Sequence, residues 1–274
     1  REIREVCYYY ALTVDKYAHN VLKSFEDIWL SEDFLAKLEP YTYDPAKAEA
    51  ILEEMGWSKG ADGFWRDADG KLIELEINAH AGCSDWVLAA ENIATQLTNF
   101  GLKTECRTIP GEVYGATLRA GDYQMAIEFG TAWWGFAHPW AGYDRLFGAT
   151  GYIKRVTNFP DEVTGPEGET IVLDDLVMEL STAIDPAKQK ALVEKLAWIS
   201  NEYLPVIPFL EKRLMIFHLD GVRVTGWPDP EDPIWLLCPG GIERFYTEMM
   251  IQGKLKAVRS VSYTHLTLPT IYSV

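Results

Sequence analysis

Apolar positions in this chain follow two periods, and the switches between them predict the elements. Residues 1–20 place Val6, Tyr9, Tyr10, Thr13, Val14 and Tyr17 on one side of a helix. "YDPAKAEAILEEMGW" is a complete helix signature: Asp44 is placed to cap, Pro45 sits at the first helical position, and Gly56 stops it. Its Ala48, Ile51, Leu52 and Met55 share one face. "ADGFWRDADGK" carries turn signals, with Trp57 and Trp65 expected to pack around them. From residue 71 the period drops to two, and "KLIELEIN" reads as a strand over 71–78. "SDWVLAAENIATQLTNFG" returns to the helical period. Ser84 or Asp85 is its expected cap, and Trp86, Ala90, Ile93, Leu97 and Phe100 are its apolar face. "LKTECRTI" is a second strand, "GEVYGATLRAGD" a short helix ending at Gly121, and "YQMAIEFG" a third strand.

Beyond these, residues 148–170 read as a Gly-, Pro- and Thr-rich loop, followed by a helix from about Leu173 to Ala183. A further helix begins with "DPAK" at 185–188, the same capping chemistry as at 44–47 rather than an internal repeat. "VIPFLEKRLMIFHL" predicts two short strands around "EKR". "GWPDPEDPIW" is a rigid aromatic loop in which Trp227 and Trp235 suit hinge or surface packing, and residues 240–257 end the fold as a helix or tail.

The strand–helix–strand–helix–strand order over 71–130 implies an α/β unit with parallel pairing. Ligands of such sheets sit at the carboxyl ends of the strands. "GTAWWGFAHPW" (130–140) follows the third strand at that edge and fits neither period. Trp133, Trp134, Phe136, His138 and Trp140 are therefore candidate ligand contacts, set against plain packing of the lobe's edge. "NAHAGCSDW" ends the first strand on the same edge, which adds Asn78, Ser84 and Asp85, the last equally suited to being only a helix cap.

Composition narrows the function classes. The chain has 274 residues, 48% of them hydrophobic, enough for a sizeable core in one large or two smaller domains. Its formal net charge is 25 − 41 = −16, which repels nucleic acid and anionic lipid. No apolar run reaches the roughly 18 residues of a membrane helix. The first residues lack the pattern of a signal peptide and an initiator Met, so the chain is expected to begin mid-protein. The final fourteen, "VSYTHLTLPTIYSV", carry no charge apart from one His and resemble the translated adaptor tail of a metagenomic gene fragment. Cys7, Cys83, Cys106 and Cys238 lack zinc spacing and are expected to be free thiols, with a disulfide open in an exported protein. His80 and His138, without nearby Cys or spaced carboxylates, make no metal site. No cofactor is implied. A glycosidase needs two carboxylates about 5–10 Å apart across a cleft. Glu128, Asp144, Asp174 and Asp175 are available, but an acidic chain supplies such residues by chance, and no hydrolase, P-loop or HExxH motif is present. An enzyme is not expected.

Four segments carry a family resemblance: "REIREVCYYYALTVDKYAHNVL", "YDPAKAEAILEEMGW", "AAENIATQLTNFGLKTECRTIPGEVYGATLRAGDYQMAIEFGTAWW" and "DPAKQKALVEKLAWISNEYLPVIPFLEKRLMIF". In this order and spacing they resemble the C-terminal half of bacterial extracellular solute-binding proteins of family 5, receptors of ABC importers for peptides, nickel or oligosaccharides. The resemblance covers about residues 1–230. It implies an α/β, two-lobed, type II periplasmic-binding-protein-like fold, here mainly the second lobe with returning segments of the first. Residues 1–40 would join the lobes, 41–205 form the second lobe, 206–260 return to the first, and 261–274 form a non-native tail. It further implies a monomeric receptor, periplasmic or a cell-surface lipoprotein, that closes on ligand and docks on a membrane permease; a sensory receptor on the same scaffold is the alternative partner arrangement. Peptide-binding members carry an Asp shortly after the Trp of the third-strand loop, which pairs with the peptide's amino group. Here "WWGFAHPW" has no acid before Asp144. Aromatic walls with a few polar groups suit a pyranose, so an oligosaccharide ligand is expected ahead of a peptide.

Overall fold

The computed structural model describes residues 29–129, 138–209, 219–229, 232 and 242–258. They fall into two compact units, the first running through residues 29–129 and 138–209 and the second through the described residues from 219 onward. The expected helix over 1–20 and the expected strand after "EKR" (211–213) lie outside the described residues, whereas the strand expected before it does not form: residues 206–209 are irregular.

The first unit is built on a three-stranded parallel sheet. Helix α1 (Glu32–Leu35) leads to α2 (Pro45–Glu54), then to the hairpin of β1 (Ser58–Lys59) and β2 (Trp65–Arg66). Strand β3 (Glu74–His80) is central and pairs over its full length with β4 (Lys103–Ile109); on its other side it pairs with β5 (Met125–Ala126) through Ile77 and Asn78. Helix α3 (Ser84–Phe100) connects β3 to β4, and α4 (Gly111–Ala120) connects β4 to β5 across the centre. The two crossovers run in opposite directions, so their right-handedness sends the two helices to opposite faces. Alternation on β3 follows from this. Leu75, Ile77 and Ala79 join the core with Ala90, Ile93, Ala94, Leu97 and Phe100 of α3, while Glu76, Asn78 and His80 project from the other face.

The capping chemistry is as the sequence predicts. The Asp44 carboxylate accepts from the Lys47 amide (3.0 Å), and that of Asp185 from Ala187 and Lys188 (2.7 and 3.1 Å) at the start of α8 (Pro186–Tyr203). Both helices have Pro at the first position. α3 differs from expectation. Its N-cap is Cys83, with no side-chain cap bond, and Ser84 and Asp85 stand in the first turn. His80 sets this boundary: its carbonyl accepts from Cys83 and its Nδ1 from Gly82, so the turn ends one residue early.

Two further expectations need correction. Residues 148–170 are not one loop. They contain α6 (Tyr152–Thr157) and a hairpin of β6 (Glu162–Thr164) and β7 (Thr170–Val172), which buries Val163 and Ile171 on one side. The Gly and Pro content serves the tight turn at 165–169. The third strand is only two residues long in the ladder. α5 (Trp140–Phe147) and α7 (Leu173–Thr182) complete the first unit. In the second, β8 (Val224–Thr225) pairs with β9 (Lys256–Ala257), and Trp227, Tyr246 and Leu255 pack on Met249 beneath α9 (Ile242–Ile251).

Trp65 ties the β1–β2 hairpin to the end of α3. Its side chain is 2% exposed, its indole N–H donates to Phe100 O (3.3 Å), and its amide donates to Gly101 O (2.8 Å). Gly101 has φ 106°, and a Cβ there would lie 2.5 Å from Gly63 O. Both the left-handed backbone and the close approach require glycine. Gly101→Ala should lower the unfolding free energy by about 2 kcal/mol or more, read from the denaturant midpoint at unchanged slope.

Candidate functional site

Five of the candidates lie among the described residues: Asn78, Ser84, Asp85, His138 and Trp140. Asn78 sits on the central strand, opposite Arg107 on β4 and Ala126 on β5. Its side chain is fully buried, and neither amide atom has a hydrogen-bond partner among the described residues. Its backbone carbonyl, by contrast, accepts from Ile127 N (2.9 Å) and the Tyr114 hydroxyl (3.3 Å). Asn201 shows what a buried amide normally does. At 2% exposure it accepts from Glu39 N and donates to Glu39 O, both at 3.0 Å. A buried amide left unpaired costs about 1–3 kcal/mol, which sets Asn78 apart from Asn201 among the described residues.

His138 and Trp140 stand at the start of α5. The Trp140 amide donates to His138 Nδ1 (3.1 Å), which leaves the ring proton of the neutral imidazole on Nε2. That Nε2 and the Trp140 Nε1 are both buried without a partner among the described residues. The His138 ring packs edge-on against Trp29 (4.9 Å, 72°), and burial holds its pKa below the usual imidazole range. Asp85 is exposed on the first turn of α3. Trp133, Trp134 and Phe136 lie outside the described residues.

Two groups emerge that sequence reading does not assemble. The first is aromatic: His80, Trp86, Tyr114 and Phe129 meet at the sheet's carboxyl edge. Trp86 and Phe129 lie 4.8 Å apart at 74°, His80 is 6.2 Å from Trp86 and 5.5 Å from Tyr114, and Trp86 is 6.1 Å from Tyr114. The second holds the chain as it leaves β5. Arg145 Nε donates to Phe129 O (3.1 Å), and Glu128 Oε1 accepts from Phe129 N (2.8 Å). Glu128 also accepts from the Tyr152 hydroxyl (3.1 Å) and faces Arg145 at 3.7 Å, while the guanidinium lies 4.7 Å over the Tyr152 ring. Burial, and then the Glu128 carboxylate, push the Tyr152 hydroxyl up to about 12; burial lowers Arg145. The one sequence signal for either group is the run of Glu128 and Phe129 into the Trp-rich loop. The other partners come from separate elements: the end of β3, α3 and α4 before it, and α5 and α6 after it.

Asp144 is raised by burial and then by the nearby Asp174, whose Oδ1 is already used by Ala149 N (2.6 Å). Cys83 and Cys106 are free thiols; Cys7 and Cys238 lie outside the described residues. Among the described residues no group of three or more His, Cys, Asp or Glu is placed to hold a metal, and no helix is long and apolar enough to cross a membrane.

A family model for bacterial extracellular solute-binding proteins, family 5 Middle, matches residues 10–154, just over half of the chain. The chain belongs to this family. A mannohexaose-bound periplasmic oligopeptide-binding protein of an ABC transporter from Thermotoga maritima superposes with a TM-score of 0.66 at 21% identity, over 93% of this chain and 49% of that one. A NikA from Brucella suis in complex with Fe(III)-EDTA gives 0.58 at 18%, over 76% and 41%. The oligopeptide-binding AppA of Bacillus subtilis, bound to a nonapeptide, gives 0.54 at 15%, over 74% and 40%. The family 5 chain thus spans about half the length of the solved structures it matches. The likenesses establish the fold expected from sequence: α/β, of the type II periplasmic binding proteins.

The contrast between the two asparagines is testable. Asn78→Leu is expected to leave the unliganded family 5 chain as stable or to stabilise it by about 1 kcal/mol, because it removes an amide with no partner among the described residues. Asn201→Leu should cost about 2 kcal/mol or more by orphaning Glu39. Urea unfolding of both variants measures the difference. His138 yields a second expectation. Its folded pKa is depressed, so below the unfolded-chain value of about 6.5 the unfolded state takes up a proton that the native state refuses. This site's stability is present above that pH and lost on acidification. His138→Asn keeps an acceptor for Trp140 N and should lose less melting temperature than wild type between pH 7.5 and 5.5.

Proposed function

We propose that this chain is part of the solute-binding component of an ABC importer and that it captures an oligosaccharide for delivery to a membrane permease on the extracellular side. The observation that carries the reading is the site's chemistry: partly exposed aromatic rings at the carboxyl edge of a parallel sheet, accompanied by buried polar atoms without partners among the described residues. An apolar wall with a few placed donors and acceptors is what a pyranose requires, since its C–H faces are apolar and its rim is hydroxylated. Trp133, Trp134 and Phe136 supply stacking surface; His138 Nε2, Trp140 Nε1 and the Asn78 amide supply hydrogen bonds; Asp85 supplies a carboxylate at the rim. The reading has no enzymatic step and no cofactor.

A peptide ligand is the second reading, favoured by the AppA likeness in fold. Against it stands the absence of any acid from residue 130 to residue 143, where a peptide's ammonium would need one. Melting temperature decides between them, because a ligand of the native state raises it by mass action. With mannohexaose at about a hundred times its Kd the chain should gain about 2.7 kcal/mol, and Trp133→Ala or Trp134→Ala should remove most of the shift. A shift with a nonapeptide and none with mannohexaose or other oligosaccharides refutes the sugar reading.

A further inference from the structure

The aromatic cluster at the carboxyl edge is built differently from a core. Its four rings come from the end of β3, the first turn of α3, the face of α4 and the segment after β5. Tyr114 is the floor: it is buried, and its hydroxyl donates to the carbonyls of Ile127 and Asn78. The other three stop short of full burial. Phe129 is 36% exposed, and Trp86 and His80 are half-buried. Trp86 leans on the sheet core with one side while its ring meets Phe129 nearly at right angles. Two open rings in that relation form a corner with one wall from each.

Each wall is fixed from behind. The Phe129 amide and carbonyl are both held, by Glu128 and by Arg145. His80 accepts from Gly82 N through Nδ1 (3.0 Å), which puts its proton on Nε2. The imidazole lies so close over Gly111 that a Cβ there would overlap it, so glycine is what admits the ring. Preorganised aromatic walls with a fixed ring N–H match a disc with apolar faces and a hydroxylated rim, and Asp85, one residue before Trp86, adds an exposed carboxylate that accepts from hydroxyls.

We infer that Trp86, Phe129 and His80 form a stacking subsite for one pyranose unit. One of the two rings stacks on a face of the pyranose, the other closes against its edge, and the His80 imidazole lines the corner between them. The inference rests on the oligosaccharide reading above and adds the residues that fix where one sugar unit sits.

Calorimetric titration of the 274-residue chain with mannohexaose tests it. Phe129→Leu and Trp86→Leu should each weaken binding roughly tenfold, and Phe129→Tyr should stay within about threefold of wild type. The melting temperature of each unliganded variant distinguishes lost contact from lost fold, and retention of binding by Phe129→Tyr does so again. If Phe129→Leu and Trp86→Leu bind as wild type while Trp133→Ala does not, the subsite is refuted and the oligosaccharide reading stands. If the wild-type chain binds no oligosaccharide, both are refuted.

Discussion

The pairing of one central strand with two parallel neighbours is the constraint from which the site follows. Because Glu74–His80 is bonded on both sides, its position is fixed by two ladders at once. Its alternation then commits Leu75, Ile77 and Ala79 to the α3 core, which leaves Asn78 and His80 pointing the other way. A slip of one residue would exchange the two sets and place an amide and an imidazole among leucines and isoleucines. The hydrophobic demand of one face therefore places the chemistry of the other.

Most of this scaffold is legible in the sequence. Asp44-Pro45 and Asp185-Pro186 announce helix starts through a mechanism that needs only neighbouring residues, and both bonds form. The apolar face of α3 is legible because its period is long and unbroken. Where reading by neighbours fails, the decisive partner is remote or lies one residue away. The α3 boundary is moved by the His80 ring, and the hairpin within 148–170 depends on the pairing of Val163 with Ile171, spaced by turn residues that look like an open loop.

The site is less legible for the same reason. Trp86 belongs by period to the core face, and Phe129 by alternation to a strand; nothing local shows that they meet at 4.8 Å. Arg145 and Tyr152 reach Glu128 from helices some twenty residues further on. Unpaired polar atoms are the hardest to foresee, since Asn78 and Asn201 are the same residue type at similar burial and differ only in what surrounds them. The family resemblance supplies the fold, and the fold alone does not choose among solutes.

The grip on Phe129 is through its main chain, by Glu128 on the amide and Arg145 on the carbonyl. Such a clamp does not read the side chain it carries. The residue at 129 can therefore be exchanged over evolutionary time while the path of the chain out of β5 stays constant. Under the oligosaccharide reading proposed above, exchange of this one side chain would change the wall met by a solute while both main-chain bonds stay in place.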